Sequence, residues 1–343
     1  MNQALEGIRV VDLAQQTPGP LCSRLLADLG ATVIKIEPPG GEWARKARSL
    51  YRHLNSCKTV VELDLKTPAG LAAAREHLEA ADVVLEGFRP GVADRLGVGF
   101  NDVAALSPQI IYCSISGYGQ SGPMRDVAGH DMCYHAHAGA FSAELTSGEG
   151  PNRPLLPNAD LASSLFGAFM ILAALRDPDR VAQHIDVSMQ DVCVFLAFSR
   201  WGEALTTGRD SPVEELLHLT PGNDIYRTAD GEYITVCAVE DKFWVNLCTA
   251  LTRPDLAEPP FDSTAGRMAA RTQLNQQLSL TMGAIACGDL LTRFVEADVP
   301  AMRVRRASEV LNDPALRASG LVRPVADGYE LGFPVKISDR RMS

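Results

Sequence analysis

At 343 residues the chain is long for a single hydrophobic core and is expected to divide into two domains. Its composition, 46% hydrophobic and 22% charged, belongs to a folded globular protein and sets aside disordered and fibrous classes. A formal charge of −10 sets aside nucleic acid as a partner, because a phosphate backbone would be repelled.

Taken from the N-terminus, Met1 to Gln15 shows no basic start followed by a long apolar stretch, so no secretory signal is expected. No run approaches the ~20 apolar residues that cross a bilayer, so no membrane partner is expected either. Eight cysteines (Cys22, Cys57, Cys113, Cys133, Cys193, Cys237, Cys248 and Cys287) form no CxxC pair, and several sit inside apolar runs. That usage predicts reduced thiols in a cytoplasmic protein, not disulfides or a zinc site.

Ile8–Ala14 is a β-branched run that predicts a buried strand, followed through Thr17-Pro18-Gly19-Pro20 by a helix over Leu21–Leu29, which Gly30 ends before a second strand at Ala31–Glu37. Further strands are predicted at Thr59–Leu65, Asp82–Phe88 and Ile110–Ser116, with a helix at Pro68–Glu79 and shorter ones after Gly91 and Asn101. This alternation predicts an α/β fold with a mostly parallel sheet covered by helices. No GxGxxG follows the first strand and no Walker loop is present, which disfavours NAD and ATP as ligands. The segment Trp43–Lys66 gathers Arg45, Lys46, Arg48, Arg52, Lys58 and Lys66, a local basic patch in an acidic chain that could meet an anionic ligand.

The stretch Ala128–Asp160 holds the chemistry. A Gly-His-Asp turn stands at one end, and Asp160 opens an apolar helix to Leu175 at the other, where it is expected at or near the N-cap. The Gly-, Pro-, Asn- and Ser-rich loop between them lets His130 and Asp160 face one cavity. Imidazole and carboxyl suit proton transfer near neutral pH, since modest burial or pairing moves their pKa values into the working range. His135 and His137 are expected to be structural, and no metal site is expected, because a helix would spread these rings around its axis. After a strand at Ala182–Val187 and a helix at Gln190–Thr206, the polar stretch Thr207–Asn223 is a connector. A hairpin around Ala229-Asp230-Gly231 then opens a smaller α+β unit with helices at Asp241–Leu251, Arg267–Met282 and Gly288–Ala297. A final β-rich piece ends in Phe333–Ser338.

GIRVVDLAQQTPGPLCSRLLADLGATVIKIEPPGG, LDLKTPAG, GFRPGVADRLG, SGYGQSGP, GHDMCY, the aspartate of PNADLA and YRTADGEYITVCAVEDKF occur in this order. Together they resemble the family III CoA-transferase and α-methylacyl-CoA racemase superfamily. The resemblance implies a Rossmann-like large domain over residues 1–205 completed by 301–343, and a linker with a small domain over residues 206–300. It also implies an interlocked homodimer and an acyl-CoA substrate, with no cofactor beyond the coenzyme A of that substrate. Transferases of the superfamily use the carboxylate at the position of Asp160 as a nucleophile. Racemases keep it as a base and add a GHD histidine, here His130, and a small-domain glutamate, here Glu240. All three are present, and the glycine-rich run of some transferases is absent, so a racemase acting on a 2-methyl-branched acyl-CoA is expected. A CoA-transferase, or a catalytically silent CoA-binding protein, is the alternative.

On this reading His130 and Asp160 serve opposite faces of the α-carbon, Glu240 holds the imidazole, and Asp131 orients His130 or the substrate. Backbone N–H groups at the start of the Asp160 helix are expected to help hold the enolate oxygen. Carried over from the superfamily, Leu63, Lys66, Phe88 and Arg95 fall at the nucleotide end of the CoA, with Arg89 beside them. Departures at Pro38, Cys133 and Asn223 bear on acyl specificity.

Overall fold

The computed structural model describes residues 3–142, 150–201, 204–210 and 216–335. The chain divides into two compact units, residues 1–141, 151–198 and 320–343 in one and 142–150 and 199–319 in the other. The stretch 301–319, expected with the large domain, thus falls in the second unit. The reason is a strand pairing described below.

The first unit is built on β1 (Arg9–Asp12), α1 (Pro18–Asp28), β2 (Thr32–Glu37), α2 (Arg48–Asn55), β3 (Thr59–Glu62), α3 (Pro68–Glu79), β4 (Val83–Glu86), α4 (Val92–Arg95), α5 (Phe100–Leu106) and β5 (Ile111–Ser116). It continues with α6 (Asp131–His137), α7 (Asn158–Leu175), β6 (Gln183–Ser188) and α8 (Met189–Leu196). The strands form one parallel sheet in the order β3-β2-β1-β4-β5-β6. Direction of winding reverses between β1 and β4, and a ligand crevice opens outside the carboxyl ends of the strands at such a point.

Strand residues alternate between two cores. Val10, Val83, Leu85, Ile111, Cys113 and Ile115 face α1 and α7, while Val11, Val84, Ile110 and Tyr112 join Ala74, Leu78 and Val103 on the other face. Burial on both faces is why the central strands β1, β4 and β5 carry apolar residues on both sides, whereas the edge strands β3 and β6 are partly exposed and more polar.

The helix predicted from Asp160 starts earlier, at Asn158, so Asp160 lies in its first turn and is not its N-cap. At 18 residues α7 is, contrary to expectation, long and apolar enough to cross a bilayer. Its inner face, including Ala159, Ser163, Ser164, Gly167, Ala168 and Ile171, is buried against the sheet and α1. The single helix predicted over Gln190–Thr206 is instead α8 followed by short four-residue helices at Phe198–Trp201 and Ala204–Thr207.

In the second unit β7 (Asn223–Arg227) and β8 (Tyr233–Cys237) form the expected antiparallel hairpin. Helices α9 (Asp241–Ala250), α10 (Thr264–Ala269), α11 (Arg271–Gly283) and α12 (Cys287–Glu296) follow. Then β9 (Ala301–Arg303) pairs antiparallel with β8, which holds the stretch after residue 300 in this unit. Its core surrounds Trp244, whose indole N–H donates to the Leu256 carbonyl at 2.8 Å. Two short helices, α13 (Ala307–Leu311) and α14 (Pro314–Ala318), close it. The last strands, β10 (Val322–Val325) and β11 (Gly328–Leu331), are an antiparallel hairpin of the first unit. Half of the β-rich end expected at Phe333–Ser338, residues 336–338, lies outside the described residues.

Candidate active site

The loop after β5 leads to His130, which occupies the N-cap position of α6 with extended backbone and an exposed side chain. The glycine before it has a steric reason. A Cβ at Gly129 would lie 2.6 Å from the Tyr134 ring, and one at Gly117 would lie 2.7 Å from it. The phenol also donates to the Gly129 carbonyl at 2.7 Å, and Tyr118 packs edge-on against Tyr134 with centroids 5.2 Å apart. A buried aromatic thus fixes the turn that carries His130.

Asp131 joins this turn to α7. Its Oδ1 accepts the Ala159 N–H at 2.7 Å and lies 3.4 Å from the Asp160 nitrogen, so a carboxylate 28 residues away caps the helix. The Asn158 N–H goes to the Leu156 carbonyl and the Leu161 N–H to that of Pro157. The first-turn donors of α7 are therefore already engaged, which corrects the expectation that they hold an enolate oxygen. His135 Nε2 lies 3.7 Å from Asp131 Oδ1.

Asp160 is the perturbed group of the cluster. Burial first, and then the charge of Asp131, raise its carboxyl to about 6, while that of His130 acts in the opposite sense. The two proton-transfer candidates therefore share one electrostatic environment. The cap makes a separable prediction. Asp131→Asn keeps an acceptor but removes the charge, so the Asp160 carboxyl should titrate lower and the acid limb of any activity profile should move to lower pH. Asp131→Ala should in addition cost ~1 kcal/mol of stability in denaturant unfolding, the usual loss on deleting a cap. An unmoved acid limb in Asp131→Asn would count against the coupling.

The loop between β1 and α1 leads to the first residue of α1, Pro18, which reaches the same helix. Ser164 Oγ lies 2.7 Å from both the Pro18 and Asp160 carbonyl oxygens. Behind that loop is a buried ionic network. Lys35 Nζ donates to the Ala14 carbonyl at 2.6 Å and pairs with Glu42 at 3.1 Å, while Lys58 pairs with Asp12 at 3.0 Å. Glu42 accepts the Gln16 N–H at 2.7 Å.

Between α3 and α4 a cleft of about 520 Å³ is lined by Leu65, Lys66, Thr67, Pro68, Leu71, Arg95 and neighbours, which brings Lys66 and Arg95 together. Leu63 and Phe88 pack in the adjoining apolar cluster with Leu65, Leu71 and Leu96, outside the cleft lining. Arg89 is placed differently from its expected neighbours. It does not line the cleft, and its charge acts on Tyr134, whose phenol burial pushes up. Glu240 is exposed immediately before α9 in the second unit, and Asn223 begins β7 there. Pro38 and Cys133 are exposed in the first unit.

One group escaped sequence reasoning. Glu86 ends the apolar strand β4 and is buried. Burial pushes its carboxyl up to about 7, against the pull of hydrogen bonds from Ser114 and from the Phe88 N–H at 2.7 Å. It thereby pins the GFRPG loop. A glutamate closing an all-apolar strand was the available signal.

The chain matches CoA-transferase family III over residues 5–343. It belongs to that family. Among relatives of this family member, the succinyl-CoA–D-citramalate CoA-transferase of Chloroflexus aurantiacus is 33% identical over 324 residues, covering 90% of this chain and 80% of the relative. The α-methylacyl-CoA racemase of Homo sapiens is 37% identical over 253 residues, covering 72% of this chain and 65% of the relative. A CaiB/BaiF family protein from Brucella suis has a solved structure that superposes with a TM-score of 0.87 at 28% identity, covering 99% of this chain and 94% of that one. The similar enzymes are mostly CoA-transferases, with a racemase among them. The chain is therefore an enzyme of the family III CoA-transferase and racemase superfamily.

Proposed function

We propose that this enzyme interconverts the two configurations of a 2-methyl-branched acyl-CoA by moving the α-proton. The observation that carries this reading is a half-buried carboxyl at Asp160, raised to about 6, in electrostatic contact with the histidine of a Gly-His-Asp turn. One of the pair removes the α-hydrogen, and the C–H electrons pass into the thioester carbonyl to give an enolate. The other, protonated, returns a proton to the opposite face. The proposed roles are His130 and Asp160 as the two acid–base groups, Glu240 as support for the imidazole, and Asp131 as the group that positions Asp160. Lys66 and Arg95 suit the phosphates of the CoA, and the apolar cluster of Leu63 and Phe88 suits its adenine. The acyl-CoA is substrate, and no resident cofactor or metal is invoked.

A second reading is favoured by the relatives, most of which are CoA-transferases: Asp160 as nucleophile, passing through an anhydride and an enzyme thioester. Incubation with a 2-methylacyl-CoA in D₂O separates them. The racemase reading expects deuterium at the α-carbon and no hydroxylamine-trapped adduct on Asp160. A trapped adduct without α-exchange establishes the transferase, and neither result establishes a silent CoA-binding protein.

The macromolecular partner we propose is a second copy of the chain. On α7, α8 and the short helix that follows, Leu165 (57%), Phe169 (66%), Phe195 (63%) and Phe198 (57%) are exposed, apolar side chains that call for cover. Phe169→Glu should convert a dimer to monomer in sedimentation; a wild-type monomer would refute the proposal.

A further inference from the structure

We propose that a cavity between α2 and the β10–β11 hairpin binds a phosphoryl group. It has a volume of about 850 Å³ and is lined by Arg45, Arg48, Ser49, Tyr51, Arg52 and Asp327. None of these residues lines the Lys66–Arg95 cleft. The surrounding sequence is strongly one-sided: between Glu42 and Glu62 there is no Asp or Glu, although the chain as a whole carries −10.

Most of the cations in that stretch are already used. Arg45 is held by Glu37 at 2.8 Å and Glu62 at 2.9 Å, Lys58 is buried on Asp12, and Lys46 lies over the Trp43 ring. Arg48 and Arg52 are left, one helical turn apart on α2. Arg52 donates to the backbone carbonyls of Asp327 at 3.3 Å and Tyr329 at 3.4 Å, not to a carboxylate. Arg48 has no hydrogen bond or ion pair among the described residues, and the Asp327 carboxylate pairs with no cation among them.

Three electrostatic costs therefore meet at one place. Like charges at i and i+4 destabilise a helix. Arg48 sits in the first turn of α2, where the helix dipole disfavours a cation. The same end has neither a side-chain cap nor an acidic residue. An anion between the two guanidinium groups relieves all three, and their planar forks match phosphoryl oxygens. The hydroxyl of Ser49 adds a donor. The phosphoryl group could belong to the CoA thioester or to a separate phosphorylated metabolite.

Calorimetric titration of the full chain with pyrophosphate, and with CoA, tests this. Wild type should bind pyrophosphate, and Arg48→Gln should weaken that binding about tenfold, as expected for losing a charge-assisted contact. Arg48→Lys should retain part of it. Because Arg48 is exposed, unchanged melting temperatures should show that the variants fold. Competition between pyrophosphate and CoA, with CoA also weakened in Arg48→Gln, assigns the phosphoryl group to CoA. Independent binding of the two assigns it to a separate ligand. Wild type that binds no pyrophosphate, or Arg48→Gln that binds it as tightly as wild type, overturns the site.

Discussion

Asp160→Asn is expected to abolish inversion at the α-carbon, with a loss of about 10²–10⁴-fold, the contribution of one positioned acid–base group. Exchange should outlive inversion. With one base gone, the enantiomer whose α-hydrogen faces His130 should still take up deuterium with retention, whereas the other enantiomer should not. Inversion at near wild-type rates would remove Asp160 from the mechanism. In wild type, the direction in which Asp160 acts as base should slow as pH falls through about 6, where the carboxyl takes up a proton. Stability supplies an independent check with a definite sign. The folded carboxyl is raised from 3.8 to about 6, so the fold binds that proton more tightly than the unfolded chain and loses stability as pH rises across this window. The amide variant escapes that loss. Its melting temperature should match wild type below the window and exceed it above.

Lys35→Met is expected to cost about 3–5 kcal/mol in denaturant unfolding, because it leaves Glu42 and Asp12 buried with one cation too few. Side chains of Lys35, Asp12 and Glu42 are fully buried, so water cannot compensate. Burial by itself would raise Asp12, yet Lys35 and Lys58 hold it below the ordinary carboxylate value of 3.8. The stability it contributes is present above that value and is lost as pH falls below it. The variant should also lose activity, since Lys35 holds the Ala14 carbonyl and Glu42 holds Gln16, in the loop that leads to Pro18, whose carbonyl meets Ser164 on the Asp160 helix. A loss below about 1 kcal/mol, the range of exposed ion pairs, would show that the network is solvated in solution.

The parallel sheet was legible because each strand is a short β-branched run bounded by Gly, Pro or Asp, and the helices between them are equally well punctuated. Boundaries were less so. Asp160 was expected at or near the N-cap and lies in the first turn, but the capping acceptor is Asp131, and no local pattern can announce an acceptor supplied from 28 residues upstream. Residues 301–319 looked like part of the large domain, and β9 pairs with β8 instead. Arg89 and Arg95 are close in sequence, yet only Arg95 lines the cleft beside Lys66.

The sequence by itself determined the family, the α/β class and the identity of the acid–base candidates, because these rest on local punctuation and on residue types in a fixed order. Only the tertiary structure decided that Asp131 spends its carboxylate on the Asp160 helix, that Asp160 is raised into the working range, and that Glu86 and Lys35 are buried. These properties depend on desolvation and on charges brought together from distant segments, and neither exists until the chain has folded.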